Sequence, residues 1–342
     1  VRIGFCCKVV SPTGSAEWEK RLNMRTTTLA ALRRLDRSEV RTKLTAIAEH
    51  NMAALGRQVE FVAARPPLER CLRISSDMFP AYSHPLGSWV YKERSLVGRM
   101  ETVMAGIGHT ARTHGVRLSL HPGQFCVLNS GSPETMANSV AELEYHTDIL
   151  RFLGHAGGWH PLGAHINIHG GSRSGGIEGF RRGLALLSQE ARDLLTVEND
   201  EVSFGLDDLL PLAEEVPIVL DIHHHWIRSG GEYISPDDPR VERVKASWRG
   251  VRPVAHISVS REDLLAPHSP IVRPDFLALL ARGITPRDLR GHSDRMWNDG
   301  INELVLAHLV WADFEVEAKK KNLAVDDLAQ HIGRSLAKAP AA

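Results

Sequence analysis

Eight short apolar runs recur along the 342 residues, each followed by a longer charged stretch with helical spacing, and few architectures accommodate that alternation. The runs cover 1–7, 71–75, 117–121, 163–169, 194–198, 218–222, 253–258 and 314–317. Helix candidates lie between them at 38–55, 95–114, 133–153, 177–191, 206–215, 237–247, 273–281 and 300–312, with one more near the end at 325–338. Start signals such as Ser132-Pro133-Glu134 and Ser235-Pro236-Asp237-Asp238 precede some of them. Runs without polar alternation, such as Ile218-Val219-Leu220, mark parallel strands covered by helices. Eight units, with no glycine-rich phosphate loop after the first, favour an α/β fold of the TIM (β/α)8 type over a doubly wound open sheet. The expected layout is one barrel domain over 1–325 and a helical or flexible tail over 326–342.

Composition narrows the class. With 41 basic and 41 acidic residues the formal charge is zero, which argues against non-specific coating of nucleic acid. No apolar run approaches a membrane span, and the N-terminus shows no secretory pattern. Cys6, Cys7, Cys71 and Cys126 have no CxxC spacing and are too few for a disulfide scaffold, so a reduced, cytoplasmic enzyme is expected. Histidine stands out, with 18 copies.

Polar residues cluster where the expected strands end. These are His121-Pro122-Gly123-Gln124, His165 and His169, Glu198-Asn199-Asp200, Asp221-Ile222-His223-His224-His225, His256, and Glu317-Ala318-Lys319. In a parallel barrel these ends meet at one mouth, the face that carries barrel active sites. A single histidine or acid there is more often a structural partner or a helix cap. Six strands repeating the pattern point instead to metal, because clustered buried acids need cations. Imidazole with carboxylate suits Zn, Mn or Fe, and so many donors imply about two or three ions, an arrangement that activates water in phosphoryl transfer. Strict alternation would turn His223 inward with Asp221, whereas a chain turn after Ile222 would favour His224.

These residues resemble the UV damage endonucleases, single-domain barrels related in architecture to the endonuclease-four type of apurinic nuclease. The resemblance runs from Gly4 to about Val325. Its landmarks are Asn23-Met24-Arg25-Thr26, Leu72-Arg73-Ile74-Ser75-Ser76-Asp77-Met78-Phe79-Pro80, Ser83-His84-Pro85, His121-Pro122-Gly123-Gln124, His169-Gly170-Gly171, Val197-Glu198-Asn199-Asp200, Asp221 with His224, Trp248-Arg249-Gly250, His256 and Val316-Glu317-Ala318-Lys319. It implies a metal-dependent cut of damaged double-stranded DNA immediately 5′ to a UV photoproduct, made by metal-activated water, leaving a 3′-hydroxyl and a 5′-phosphate. The implied cofactor is Mn²⁺, about two or three ions per chain. The implied ligands are His84, His121, His169, Glu198, Asp221, His224, His256, His268 and Glu317, with Glu198 bridging two ions and Glu198, His121 and His169 as the catalytic set.

Lesion recognition is implied for Gln124, with Phe125, Phe5 and Arg73 as further substrate contacts. Phe125 and Phe5 stand where the family has tyrosines, and Val254 stands at or close to a family lysine that can be carboxylated beside the metals. His292, beside Ser293 and Asp294, is either an added site residue, in competition with His268, or an ordinary polar turn, with the turn slightly favoured. Basic stretches at Arg33, Arg34, Arg37, Arg41 and Lys43, at Arg181-Arg182 and at Lys319-Lys320-Lys321 are candidate phosphate contacts. A monomer is expected, with no membrane contact and no protein partner named. Two other readings use the same barrel: a metal-dependent sugar isomerase or epimerase, and a damage-binding protein without catalysis.

Overall fold

In a computed structural model of the chain, residues 1–338 are described; the expected tail over 326–342 therefore lies partly outside them. The eight strands are β1 (Ile3–Cys6), β2 (Cys71–Ile74), β3 (Arg117–Leu120), β4 (His165–His169), β5 (Leu195–Glu198), β6 (Ile218–Asp221), β7 (Val254–Ile257) and β8 (Asp313–Val316). They follow one another around a closed barrel in chain order, and the β8–β1 pair that closes it is parallel. This is the expected TIM barrel. Seven strands fall within an expected run and are shorter than it, and β8 keeps the expected length but starts one residue earlier.

The helices follow the expected rhythm with instructive differences. The stretch 177–191 splits into Gly176–Leu184 and Gln189–Leu194, because Ser188 accepts the Ala191 N–H and starts a new helix. The stretch 206–215 contracts to Leu206–Leu209 and a 3-10 turn, where Pro211 brings no backbone donor. The segment after β6, for which continued strand and a chain turn were the alternatives, is a helix over Ile222–Arg228. The last helix runs over Asn322–Lys338. No described helix is long and apolar enough to cross a membrane.

The chain divides into two compact units. One combines Val1–Cys6, Pro66–Cys71 and the chain from Thr196 onward; the other combines Cys7–Arg65 and Leu72–Leu195. In the first, Asp313 at the start of β8 is fully buried and anchors the chain terminus. It accepts the Arg2 backbone N–H at 2.8 Å and Arg252 Nε at 2.8 Å, with Arg2 Nη1 at 3.4 Å. Gly4 on β1 is required by proximity, since a Cβ there would sit 2.0 Å from the Cys71 carbonyl oxygen. Val219, Trp248 and Val254 pack into a fully buried apolar cluster. Val219 and Val254 lie two residues before Asp221 and His256, so they share their pleat face.

Candidate metal centre

In the first unit, Glu198 and Asp221 occupy the last positions of β5 and β6, and His256 is the register partner of Asp221 across β6 and β7. All three are fully buried, and one potential ligand atom from each lies within 4.8 Å of the others. His256 Nδ1 is 3.1 Å from Glu198 Oε1 and 3.6 Å from Glu317 Oε1. His224 Nδ1 is 3.3 Å from the same Glu198 oxygen and 3.6 Å from Asp221 Oδ2. Glu317 and His224 are only partly buried, so they stand between the buried group and solvent.

Local chemistry explains this placement. Asp221 is the N-cap of helix Ile222–Arg228, its Oδ1 accepting the His224 N–H at 2.7 Å. Asn199 braces the same residue, exchanging two 2.9 Å hydrogen bonds with the Asp221 backbone N–H and carbonyl. Asp200 turns the chain by accepting the Val202, Ser203 and Phe204 N–H groups. Three adjacent polar residues thus divide into a ligand candidate, a brace and a turn.

The three consecutive histidines separate in the same way. Ser260 Oγ donates to the Leu289 carbonyl at 2.7 Å, so it accepts from His223 Nε2–H at 3.0 Å. His223 Nδ1 then accepts the Ser258 hydroxyl at 2.7 Å. Burial, with the charges of His292 and His224, pushes the His223 pKa well below its ordinary value, consistent with a neutral structural ring. His225 pairs with Glu232 at 3.0 Å. His224 alone of the three approaches Glu198 and Asp221; a carbonyl only accepts, so its Nδ1 donates to Asn199 O at 3.1 Å.

Electrostatics favour a cation. Burial pushes the Asp221 carboxyl above its usual range, Glu198 and Glu317 add to the shift, and His224 and His256 oppose it. Burial opposes charge on His224, yet Asp221, Glu198 and Glu317 outweigh it and hold the imidazole well above its ordinary pKa. Among the described residues, Asp221 Oδ2 is buried without a hydrogen-bond partner. A divalent ion fits these donors: it would satisfy that oxygen and neutralise acids that otherwise repel.

In the second unit, His121 immediately follows β3 and His169 ends β4, with ring centroids 5.2 Å apart. His121 Nδ1 donates to the Pro122 carbonyl at 2.9 Å, which leaves the lone pair on Nε2. His165, at the opposite end of β4, is fully buried and donates from Nδ1 to Gly163 O at 3.1 Å, which distinguishes it from His169. His84 accepts the Leu86 N–H on its Nδ1 at 3.1 Å. His84 and His121 line a cavity of about 750 Å³ with Phe79, Tyr82, Phe125 and Tyr145. Gln124 and Phe125 are exposed, whereas Arg73 is buried on β2.

One expectation needs correction. Phe5 is fully buried and pairs in register with Val316, whose side chain alternates with those of Glu315 and Glu317. It therefore lies on the outer, core-facing side of the sheet and is not a substrate contact. His268 bonds through Nε2 to the Val272 carbonyl at 2.6 Å, within its own loop. His292 is the histidine of this long connection that reaches the cluster, 4.0 Å from Glu317 Oε2 and with its ring 5.7 Å from that of His223. The Ser260–His292 bridge carries it there. Sequence reasoning also passed over Glu201, 3.7 Å from His224 Nε2, and the fully buried Glu315, 3.3 Å from His256 Nε2. Alternation with Glu317, one residue past the end of β8, was the available signal for Glu315.

A model of the family described as UV-endonuclease UvdE matches residues 1–338. The chain belongs to this family. The UV-damage endonuclease of Neurospora crassa is 34% identical to this UvdE-family chain over 243 residues, or 66% of the chain. The match covers 33% of the Neurospora protein, so the chain spans about a third of that relative's length. The UV DNA damage endonuclease of Bacillus velezensis is 26% identical over 314 residues, covering 90% of this chain and 88% of that protein. The solved structure titled "Crystal Structure of SacUVDE" has the same fold, with a TM-score of 0.72 over 99% of this chain and 100% of that one at 22% identity.

Proposed function

We propose that this UvdE-family chain is a DNA repair endonuclease. It cuts the phosphodiester immediately 5′ of UV photoproducts, pyrimidine dimers and 6-4 products, in double-stranded DNA, leaving a 3′-hydroxyl and a 5′-phosphate. The observation that carries the reading is the buried Glu198, Asp221 and His256 group in a member of the UV-endonuclease family. Divalent ions, Mn²⁺ on the family resemblance, would supply a water of lowered pKa and neutralise phosphate charge.

The chain's own groups do the rest. Glu198 presents one oxygen toward both His224 and His256, a position suited to bridging. Asp221 and Glu317 add carboxylates, and Asn199 keeps Asp221 oriented. His84, His121 and His169 are proposed, on the family resemblance, to complete the donor set. Gln124 and Phe125, both exposed, are the proposed lesion contacts, and a distorted photoproduct costs less to unstack than a normal pair.

The test is incubation of UV-irradiated and unirradiated supercoiled plasmid with the purified chain, with Mn²⁺ or EDTA. Metal-dependent nicking confined to irradiated plasmid is expected. Metal-independent nicking, or none on irradiated DNA, would refute the reading.

A further inference from the structure

Glu315 has no place in the ligand set drawn from the family, yet it is fully buried and faces His256 directly in the β7–β8 register. Its Oε2 lies 3.3 Å from His256 Nε2, and its Oε1 lies 4.0 Å from Cys71 Sγ. The other nitrogen of the same ring, Nδ1, faces Glu198 at 3.1 Å and Glu317 at 3.6 Å. One imidazole is thus held between two sets of acids on opposite edges.

We propose that Glu315 is a positioning residue that holds His256 as the Nε2–H tautomer and turns the Nδ1 lone pair toward the divalent ion. An ionised carboxylate can only accept, so the shared proton belongs to Nε2. Nδ1, 3.1 Å from Glu198 Oε1, is then the donor nitrogen toward the Glu198, Asp221 and His256 group. A carboxylate behind a ligating histidine fixes ring orientation and raises its basicity. Burial strengthens the device, because among the described residues both partners are shut off from water that could compete for the proton. The inference rests on the reading of Glu198, Asp221 and His256 as metal ligands.

The experiment measures Mn²⁺ affinity of the wild-type chain, Glu315→Gln and Glu315→Leu, and records long-range ¹H–¹⁵N correlations of His256 in the Zn²⁺-loaded wild type. Glu315→Leu is expected to lose about 10- to 100-fold in Mn²⁺ affinity, while Glu315→Gln, which keeps an acceptor oxygen, retains most of it. The His256 spectrum is expected to show a protonated Nε2 and a metal-shifted Nδ1. Wild-type affinity in Glu315→Leu, or a metal-shifted Nε2, overturns the positioning role alone. A wild-type chain that binds neither ion overturns the metal reading as well. Should Glu315→Leu not fold, the wild-type spectrum decides.

Discussion

Asp221 meets His224 twice: its Oδ1 accepts the His224 backbone N–H at 2.7 Å, and its Oδ2 stands 3.6 Å from the ring Nδ1. The carboxylate that starts helix Ile222–Arg228 is also the one that faces the imidazole which the helix delivers. Helix start and the proposed metal site therefore share one side chain, and two substitutions separate the two roles. Asp221→Asn keeps a capping oxygen but removes the charge; a stable fold with at least about tenfold weaker Mn²⁺ binding is expected. Asp221→Ala should lose a further ~1 kcal/mol of stability with the cap. Mn²⁺ titration and urea unfolding read the two effects, and wild-type Mn²⁺ affinity in Asp221→Asn would count against a ligand role.

Glu198 is fully buried and directs one oxygen toward both His224 and His256. Glu198→Gln is nearly isosteric, so the fold should persist while nicking of irradiated plasmid falls by ~10²-fold or more. Turnover close to wild type would exclude the bridging role.

His155 offers a pH test outside the candidate centre. Burial, with Arg112 adding, pushes its pKa down to about 4, whereas in an unfolded chain it is about 6.5. Between these values the unfolded chain binds a proton that the folded chain refuses. Its contribution to stability is therefore intact above about pH 6.5, declines as pH falls toward 4, and totals about 3 kcal/mol. His155→Leu should flatten that part of the profile. Urea unfolding at several pH values checks it, and parallel profiles for the two proteins would discredit the assignment.

Asp313 and Glu317 are separated along the same chain segment and should behave oppositely. Asp313 binds Arg2 and Arg252, whose side chains are about a third exposed. Asp313→Ala should cost about 1–3 kcal/mol, less than for a pair buried on both sides, and leave Mn²⁺ affinity unchanged. Glu317→Ala should do the reverse. Denaturation and Mn²⁺ titration of both variants decide, and weakened Mn²⁺ binding in folded Asp313→Ala would contradict this division.

Gln124 is exposed immediately before the exposed Phe125. If the pair reads lesions, Gln124→Ala should lower nicking of irradiated plasmid more than it lowers affinity for undamaged duplex. Equal losses in both assays would assign Gln124 to general DNA contact.

Much of the architecture was legible in the sequence because the signals are local. Strand runs such as Ile218-Val219-Leu220 and caps such as Ser132-Pro133 report on the residues around them, and the eight strands lie where those signals fall. Glu198, Asp221 and His256 were visible for the same reason: each is a polar residue at or near the end of an apolar run.

Neighbouring chemistry alone could not rank residues of the same type. His223, His224 and His225 are adjacent copies of one side chain, and their separation depends on a helix capped by Asp221 and on Ser258, Ser260 and Glu232. The outward face of Phe5 and the burial of Glu315 against His256 are likewise set by partners from distant parts of the chain. Periodicity tells a residue which element it joins. Which group it meets is decided by strand register and loop path, since hydrogen bonds and ion pairs form only over a few ångströms.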